Sequence, residues 1–241
     1  MQEAPLLIEL EEGSEEKKEE KENLSIGKKK AKDESTKKKK EVKPKVKSPI
    51  VTHFLALRID NPMILENLEC LSSNLIKNHC SLEKHKVRSA SYHITLFVLR
   101  AEEKEEKMVQ IFNANCLEEV NKLFEDGFKL EINLRGIGEF GGHRVLFAEI
   151  EKDENREKLE TLISCLHEKF KQEDSSMVDS KLALSLHVTL FKVRTKGKLG
   201  IKEENYLEHI NKHFGVQPCN TIHLLKMKAS CDGYYEMVSM I

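Results

Sequence analysis

Two pentapeptides in this 241-residue chain combine side chains that move protons with side chains that hold an anion. They are His93-Ile94-Thr95-Leu96-Phe97 and His187-Val188-Thr189-Leu190-Phe191, identical at four of five positions. Extended backbone alternates its side chains with period two, so His, Thr and Phe of each copy are expected on one face. Ile94 and Leu96, or Val188 and Leu190, take the other, which is aliphatic and reads as core-facing. A lone His-x-Thr in a strand is usually an ordinary half-exposed edge position. Its duplication points to two related strands across one cleft. Free imidazole titrates near pH 6.5, so His93 and His187 suit proton transfer near neutrality. In phosphodiester cleavage one can take a proton from the attacking hydroxyl or water while the other donates one to the leaving oxygen. Thr95 and Thr189 offer hydroxyl donors to the non-bridging phosphate oxygens, and the chemistry needs no metal. Phe97 and Phe191 are candidates for stacking on a base, against ordinary rim packing.

The elements that must position these residues repeat. Residues 52–59 read as a strand, and Asn61-Pro62 opens a helix over 62–77 with Met63, Leu65, Leu68, Leu71, Leu75 and Ile76 at helical spacing. A polar loop leads to the first motif strand, 92–99, then a charged helix over 102–125. Strands 129–137 and 144–150 follow, joined by a turn through Gly141-Gly142. The second round gives helix 155–172, a loop rich in Ser and Asp, motif strand 187–193, a short helix near 203–214, and strands 217–227 and 234–240. A serine-containing loop precedes each motif: Ser89-Ala90-Ser91 and the stretch from Ser180 to Ser185. The fold class is α+β: a bilobal plan of two pseudo-symmetric antiparallel sheets flanked by helices, with a central cleft carrying both HxT motifs.

Composition divides the chain at about residue 48. Residues 1–48 hold no aromatic residue; nine Glu stand against three Lys up to Leu24, and eleven Lys against three acidic residues from Ser25 to Ser48. Ordering such a segment could not offset the entropy lost, so a disordered charged tail is expected, with a folded domain over 49–241. The clusters Lys28-Lys29-Lys30-Ala31-Lys32 and Lys37 to Lys40 resemble a two-part nuclear-import signal, the alternative being a solubilising tail. No run approaches the eighteen or so apolar residues of a membrane span. Six scattered cysteines without a CxxC pair suit free thiols in a reducing compartment, so nucleus and cytoplasm are the expected locations.

The chain resembles the two-histidine (LigT-like) phosphoesterase superfamily and, within it, the A-kinase anchor protein 7-like phosphoesterase domain. The carrying residues are both HxTLF motifs, the strand His53-Phe54-Leu55-Ala56-Leu57, the run from Leu134 to Gly141, and the end from Ile222 through Gly233-Tyr234-Tyr235. The resemblance implies metal-independent action on phosphodiesters of nucleotides or short oligonucleotides, of the 2′,5′-linked oligoadenylate or 2′,3′-cyclic phosphate type. It implies His93 and His187 as catalytic residues, Thr95 and Thr189 as phosphate contacts, and no cofactor. In the anchor protein a further amphipathic helix binds regulatory subunits of cyclic-AMP-dependent kinase. Here the sequence runs to Ile241 directly after the Tyr-Tyr strand, so that partner is not expected. Two other functions compete: a nucleotide- or RNA-binding module that turns nothing over, and a metal site. For the latter, His209, His213, Cys219, His223 and Cys231, or Cys70, His79, Cys80 and His85, lack the compact pairing of structural zinc.

Overall fold

The computed structural model describes residues 50–101, 103–183 and 185–241. The expected charged tail and its basic tract lie outside the described residues. Eight strands and three α-helices follow in the order β1 (His53–Arg58), α1 (Pro62–Asn78), β2 (His93–Leu99), α2 (Glu105–Leu123), β3 (Leu130–Phe140), β4 (Val145–Ile150), α3 (Glu154–Glu173), β5 (His187–Lys192), β6 (His213–Cys219), β7 (His223–Ala229) and β8 (Tyr235–Met240).

All eight strands join one antiparallel sheet in the order β6-β3-β4-β5-β2-β1-β7-β8. The two sheets expected from the sequence are its two four-stranded halves. They meet where the motif strands β5 and β2 touch, through the single register pair Ile94↔Val188. The halves are not consecutive blocks of chain. β6, β7 and β8 follow one another in sequence, yet β6 closes the half containing β3, β4 and β5, and β7 and β8 close the other.

Sequence chemistry explains the helices. Asn61 caps α1, its side chain accepting from the Met63 N–H at 3.0 Å, and Pro62 follows where a missing N–H costs nothing. Asp153 caps α3 in the same way, accepting from the Arg156 N–H at 2.9 Å. The buried stripes Ile64-Leu68-Leu71-Leu75, Met108-Ile111-Phe112-Cys116 and Leu159-Leu162-Leu166-Phe170 all enter one core cluster with the aliphatic face of the sheet. Burying each of these larger side chains stabilises the fold by about 1.5–3 kcal/mol. A smaller cluster, Phe54, Ala56, Leu225 and Tyr234, lies apart from it on the other face of β1.

Two element assignments need correction. The helix expected near 203–214 is a pair of 3-10 turns, Glu203–Asn205 and Leu207–His209, followed by β6. The free edge of β3 draws in residues 213–219, from Arg135↔His213 to Leu130↔Cys219, and this pairing overrides local helix propensity. The single strand expected over 217–227 is two, because β6 pairs with β3 and β7 with β1 on opposite sides of the sheet. β3 also runs three residues past Ile137, to Phe140, before the turn at Gly141-Gly142. The cysteines are free thiols. No helix among the described residues is long and apolar enough to cross a membrane.

Candidate active site

Both motif strands carry a bulge at the same place. β1 and β2 pair Leu55↔Phe97 and then Ala56↔Thr95, which leaves Leu96 without a partner. β4 and β5 pair Leu146↔Phe191 and then Phe147↔Thr189, which leaves Leu190 out. One extra residue reverses the alternation beyond it. His93, Thr95, His187 and Thr189 therefore keep the face predicted for them, whereas Phe97 and Phe191 turn to the opposite face. Phe97 packs edge-on against His167 and Phe170 of α3, with ring centroids 5.6 and 5.8 Å away, and Phe191 is fully buried. Neither is a base-stacking residue, and the period-two reading fails at these two positions. Val98 and Lys192 take the vacated places on the site face.

The register pair Ile94↔Val188 fixes the rest. Antiparallel order about this pair sets His93 towards the Thr189 end and Thr95 towards the His187 end. The result is a quartet in which each imidazole stands beside its own strand's Thr and towards the other strand's.

Each imidazole is held by the backbone two residues before it. His93 Nδ1–H donates to the Ser91 carbonyl at 2.8 Å, and His187 Nδ1–H to the Ser185 carbonyl at 2.6 Å. This fixes one tautomer and leaves both Nε2 atoms as acceptors. Thr95 Oγ1 lies 3.1 Å from His93 Nε2 and donates to it. Two aromatic rings flank each imidazole: Phe54 and Tyr235 at 5.2 and 5.1 Å from His93, and Phe140 and Phe147 at 5.0 and 4.9 Å from His187. Burial lowers the pKa of both histidines, against the carbonyl hydrogen bonds that raise it; the charge of Lys192 lowers both further, and His187 also lowers His93. These shifts favour the neutral form of both rings.

Gly138 makes room for this arrangement. A β-carbon there would meet Glu149 Oε1 at 2.5 Å and the Phe147 ring at 2.8 Å. Gly136, at φ +92°, is likewise pressed against the Ile210 carbonyl. Sequence reading misses the aromatic flanks, Gly138 and Lys192. It shows the serine loops, but not the role of their carbonyls. The candidate metal ligands do not converge: among the described residues no three His, Cys, Asp or Glu side chains are placed to hold an ion. His209 instead pairs with Glu208, and His223 is buried beside Tyr234 with Thr221 Oγ1 3.2 Å from its Nε2.

The family described as the AKAP7 2′5′ RNA ligase-like domain matches residues 51–241, a stretch that includes both motif strands and all eight strands of the sheet. The chain belongs to this family. The superfamily resemblance drawn from the two HxT motifs is thereby borne out. The chain is similar to human A-kinase anchor protein 7 isoform gamma, 27% identical over 213 residues, which is 84% of this chain and 60% of that protein. Its fold is that of Escherichia coli LigT complexed with 3′-AMP (TM-score 0.54, 15% identity, covering 79% of this chain and 97% of that one). It is also that of the protein TT0787 of Thermus thermophilus (TM-score 0.51, 17% identity, 79% and 96%). In this AKAP7-type domain, Leu134 to Gly141, one of the stretches that carried the resemblance, holds Gly138, which makes room for Phe147.

Proposed function

We propose that this domain is a metal-independent phosphodiesterase acting on nucleotides or short oligonucleotides, of the 2′,5′-linked oligoadenylate or 2′,3′-cyclic phosphate type. One observation carries the reading: two imidazoles, each with Nδ1–H tied to a backbone carbonyl and Nε2 left as an acceptor, share a face with two threonine hydroxyls. A phosphate bound there receives hydrogen bonds from Thr95 and Thr189. One imidazole takes the proton of the attacking hydroxyl or water. The other, protonated as the anion enters, returns a proton to the leaving oxygen, each step contributing about 10²–10⁴-fold. The 3′-AMP of the LigT complex supports a nucleotide as the ligand. Kinase anchoring is not part of the proposal, since the apolar faces of α1, α2 and α3 are committed to the core.

The test incubates the protein with chelator and a panel of 2′,5′- and 3′,5′-oligonucleotides and 2′,3′-cyclic phosphates, and identifies products. His93→Ala or His187→Ala should each cost about 10²–10⁴-fold in turnover. The double variant should lose little more, because the two rings act as one unit. Near-normal turnover by either single variant would sink the mechanism. Nucleotide binding that depends on all four residues without turnover would make the cleft a sensor.

A further inference from the structure

On the site face β5 does not end at Thr189. The bulge at Leu190 makes Lys192, the last residue of β5, the next side chain on that face, and exposed Arg194 follows two residues on. Val193 between them is buried, as the alternation requires. This backbone is pinned: the Val193 N–H donates to the Arg144 carbonyl at 2.9 Å, the Arg144 guanidinium donates to the Thr195 carbonyl at 2.7 Å, and the Leu199 N–H donates to the His143 carbonyl at 2.8 Å. Lys192, Arg194, Lys196 and Lys198 are all exposed, and among the described residues no carboxylate pairs with them. On β7 the pattern is different, with Lys226 held by Glu105 and Glu236 and Lys228 by Glu236.

The strip begins at the reacting centre. The charge of Lys192 is felt by both imidazoles, and Arg194 acts on Tyr235, whose ring stands 5.1 Å from His93. Antiparallel order places it at one end only: beyond Thr189, β5 leads past His93 and away from His187. The opposite end carries Glu149, in register with His187, and the rings of Phe140 and Phe147. Beyond His187 the lining is mixed in charge, with Glu149 and Glu151 beside Arg135, Lys152 and Arg156, so the run of cations without a carboxylate partner among the described residues lies beyond His93.

We propose that Lys192 and Arg194 form a second phosphate subsite, so that the preferred substrate carries another phosphate adjacent to the bond that is cut. This rests on the phosphodiesterase reading above. Successive side chains on one face of a strand lie about 7 Å apart. That matches the order of spacing between neighbouring phosphates in an extended oligonucleotide, so a phosphate at the quartet places its neighbour at the strip. A cyclic mononucleotide, with one phosphate, cannot use it.

The experiment compares 2′,5′-linked diadenosine monophosphate with the same compound bearing an added 5′- or 3′-terminal phosphate. One phosphorylated form should show a kcat/KM about ten- to hundredfold higher, as expected for charge-assisted hydrogen bonds. In the Lys192→Gln/Arg194→Gln double variant that advantage should fall to about onefold. The salt dependence on the favoured substrate should flatten by about 0.7 in logarithmic slope, for the one phosphate no longer neutralised. No preference in the wild type, or a preference retained by the double variant, overturns the subsite. Calorimetric titration with adenosine monophosphate and adenosine bisphosphates separates this from failure of the parent reading. If nothing is turned over, the phosphodiesterase reading falls. The subsite then stands if a bisphosphate binds at least about tenfold tighter to the wild type alone, and it falls if the affinities are equal.

Discussion

Gly138→Ala adds one methyl group at the most crowded point behind the site. That methyl would lie 2.8 Å from the Phe147 ring and 2.5 Å from Glu149 Oε1, whereas ordinary contact begins at 3.4 Å. Glu149 is exposed and can swing away. The Phe147 ring lies 4.9 Å from His187 by centroid, so it must retreat by at least about 0.6 Å, the difference between 3.4 and 2.8 Å, and it carries the imidazole with it. Overpacking of this kind costs about 1–3 kcal/mol of stability. Displacing a reacting group by about 1 Å can cost 10²-fold in rate. The expectation is a modest fall in Tm together with a drop of about 10- to 100-fold in kcat at little changed KM. Phe147→Leu should restore part of the rate in the Gly138→Ala background, because a smaller side chain leaves space for the methyl. Steady-state kinetics on the best substrate of the panel, with thermal melts of both variants, decide the matter. If Gly138→Ala keeps more than a third of wild-type kcat, or if Phe147→Leu makes the double variant worse, Phe147 does not position His187.

The pH dependence has a definite sign. Burial first, then nearby positive charge (His187 and Lys192 on His93, Lys192 on His187), hold both imidazoles below their ordinary 6.5, so the bell-shaped kcat/KM profile should centre on the acid side of that value, and Lys192→Gln should move it to higher pH. An optimum above pH 7.5, or a shift to lower pH in the variant, would contradict this. Phe97→Ala and Phe191→Ala should each destabilise by about 3–5 kcal/mol in denaturant titrations, as core phenylalanines do. Where the folded variants can be assayed, substrate KM should stay within about threefold, and a large rise in KM would return these rings to the binding face.

The paired histidines and threonines are legible because each lies within two residues of its partner, on the near side of the bulge, where alternation holds. The phenylalanines are misplaced for the complementary reason. A bulge is a property of two paired strands, and HxTLF read alone shows no turn residue that would announce one. The hairpin at Gly141-Gly142 is readable because glycine takes positive φ at no steric cost, and here the turn runs through three such residues, Gly141, Gly142 and His143. The stretch 203–214 has helical composition, but the open edge of β3 decides otherwise. Phe54, Phe140, Phe147 and Tyr235 come from four strands, and only strand order brings them to the histidines. Lys192 is invisible for the same reason as the phenylalanines, since strict alternation puts it on the wrong face.

The exchange of strands between halves has a consequence for how the chain can be made and divided. The resemblance between the two motif segments invites the thought of two autonomous modules that could be expressed separately and recombined. The wiring forbids it. Residues 213–241 deliver the border strand of one half and then the two outermost strands of the other, so every fragment ending before residue 213 leaves both unfinished. A nascent chain emerging amino terminus first holds both motif histidines before the border strands of either half have been made. Most of its pairings are long-range, a pattern that goes with slow folding. The strands that border both halves of the sheet are therefore the last of the eight to be translated.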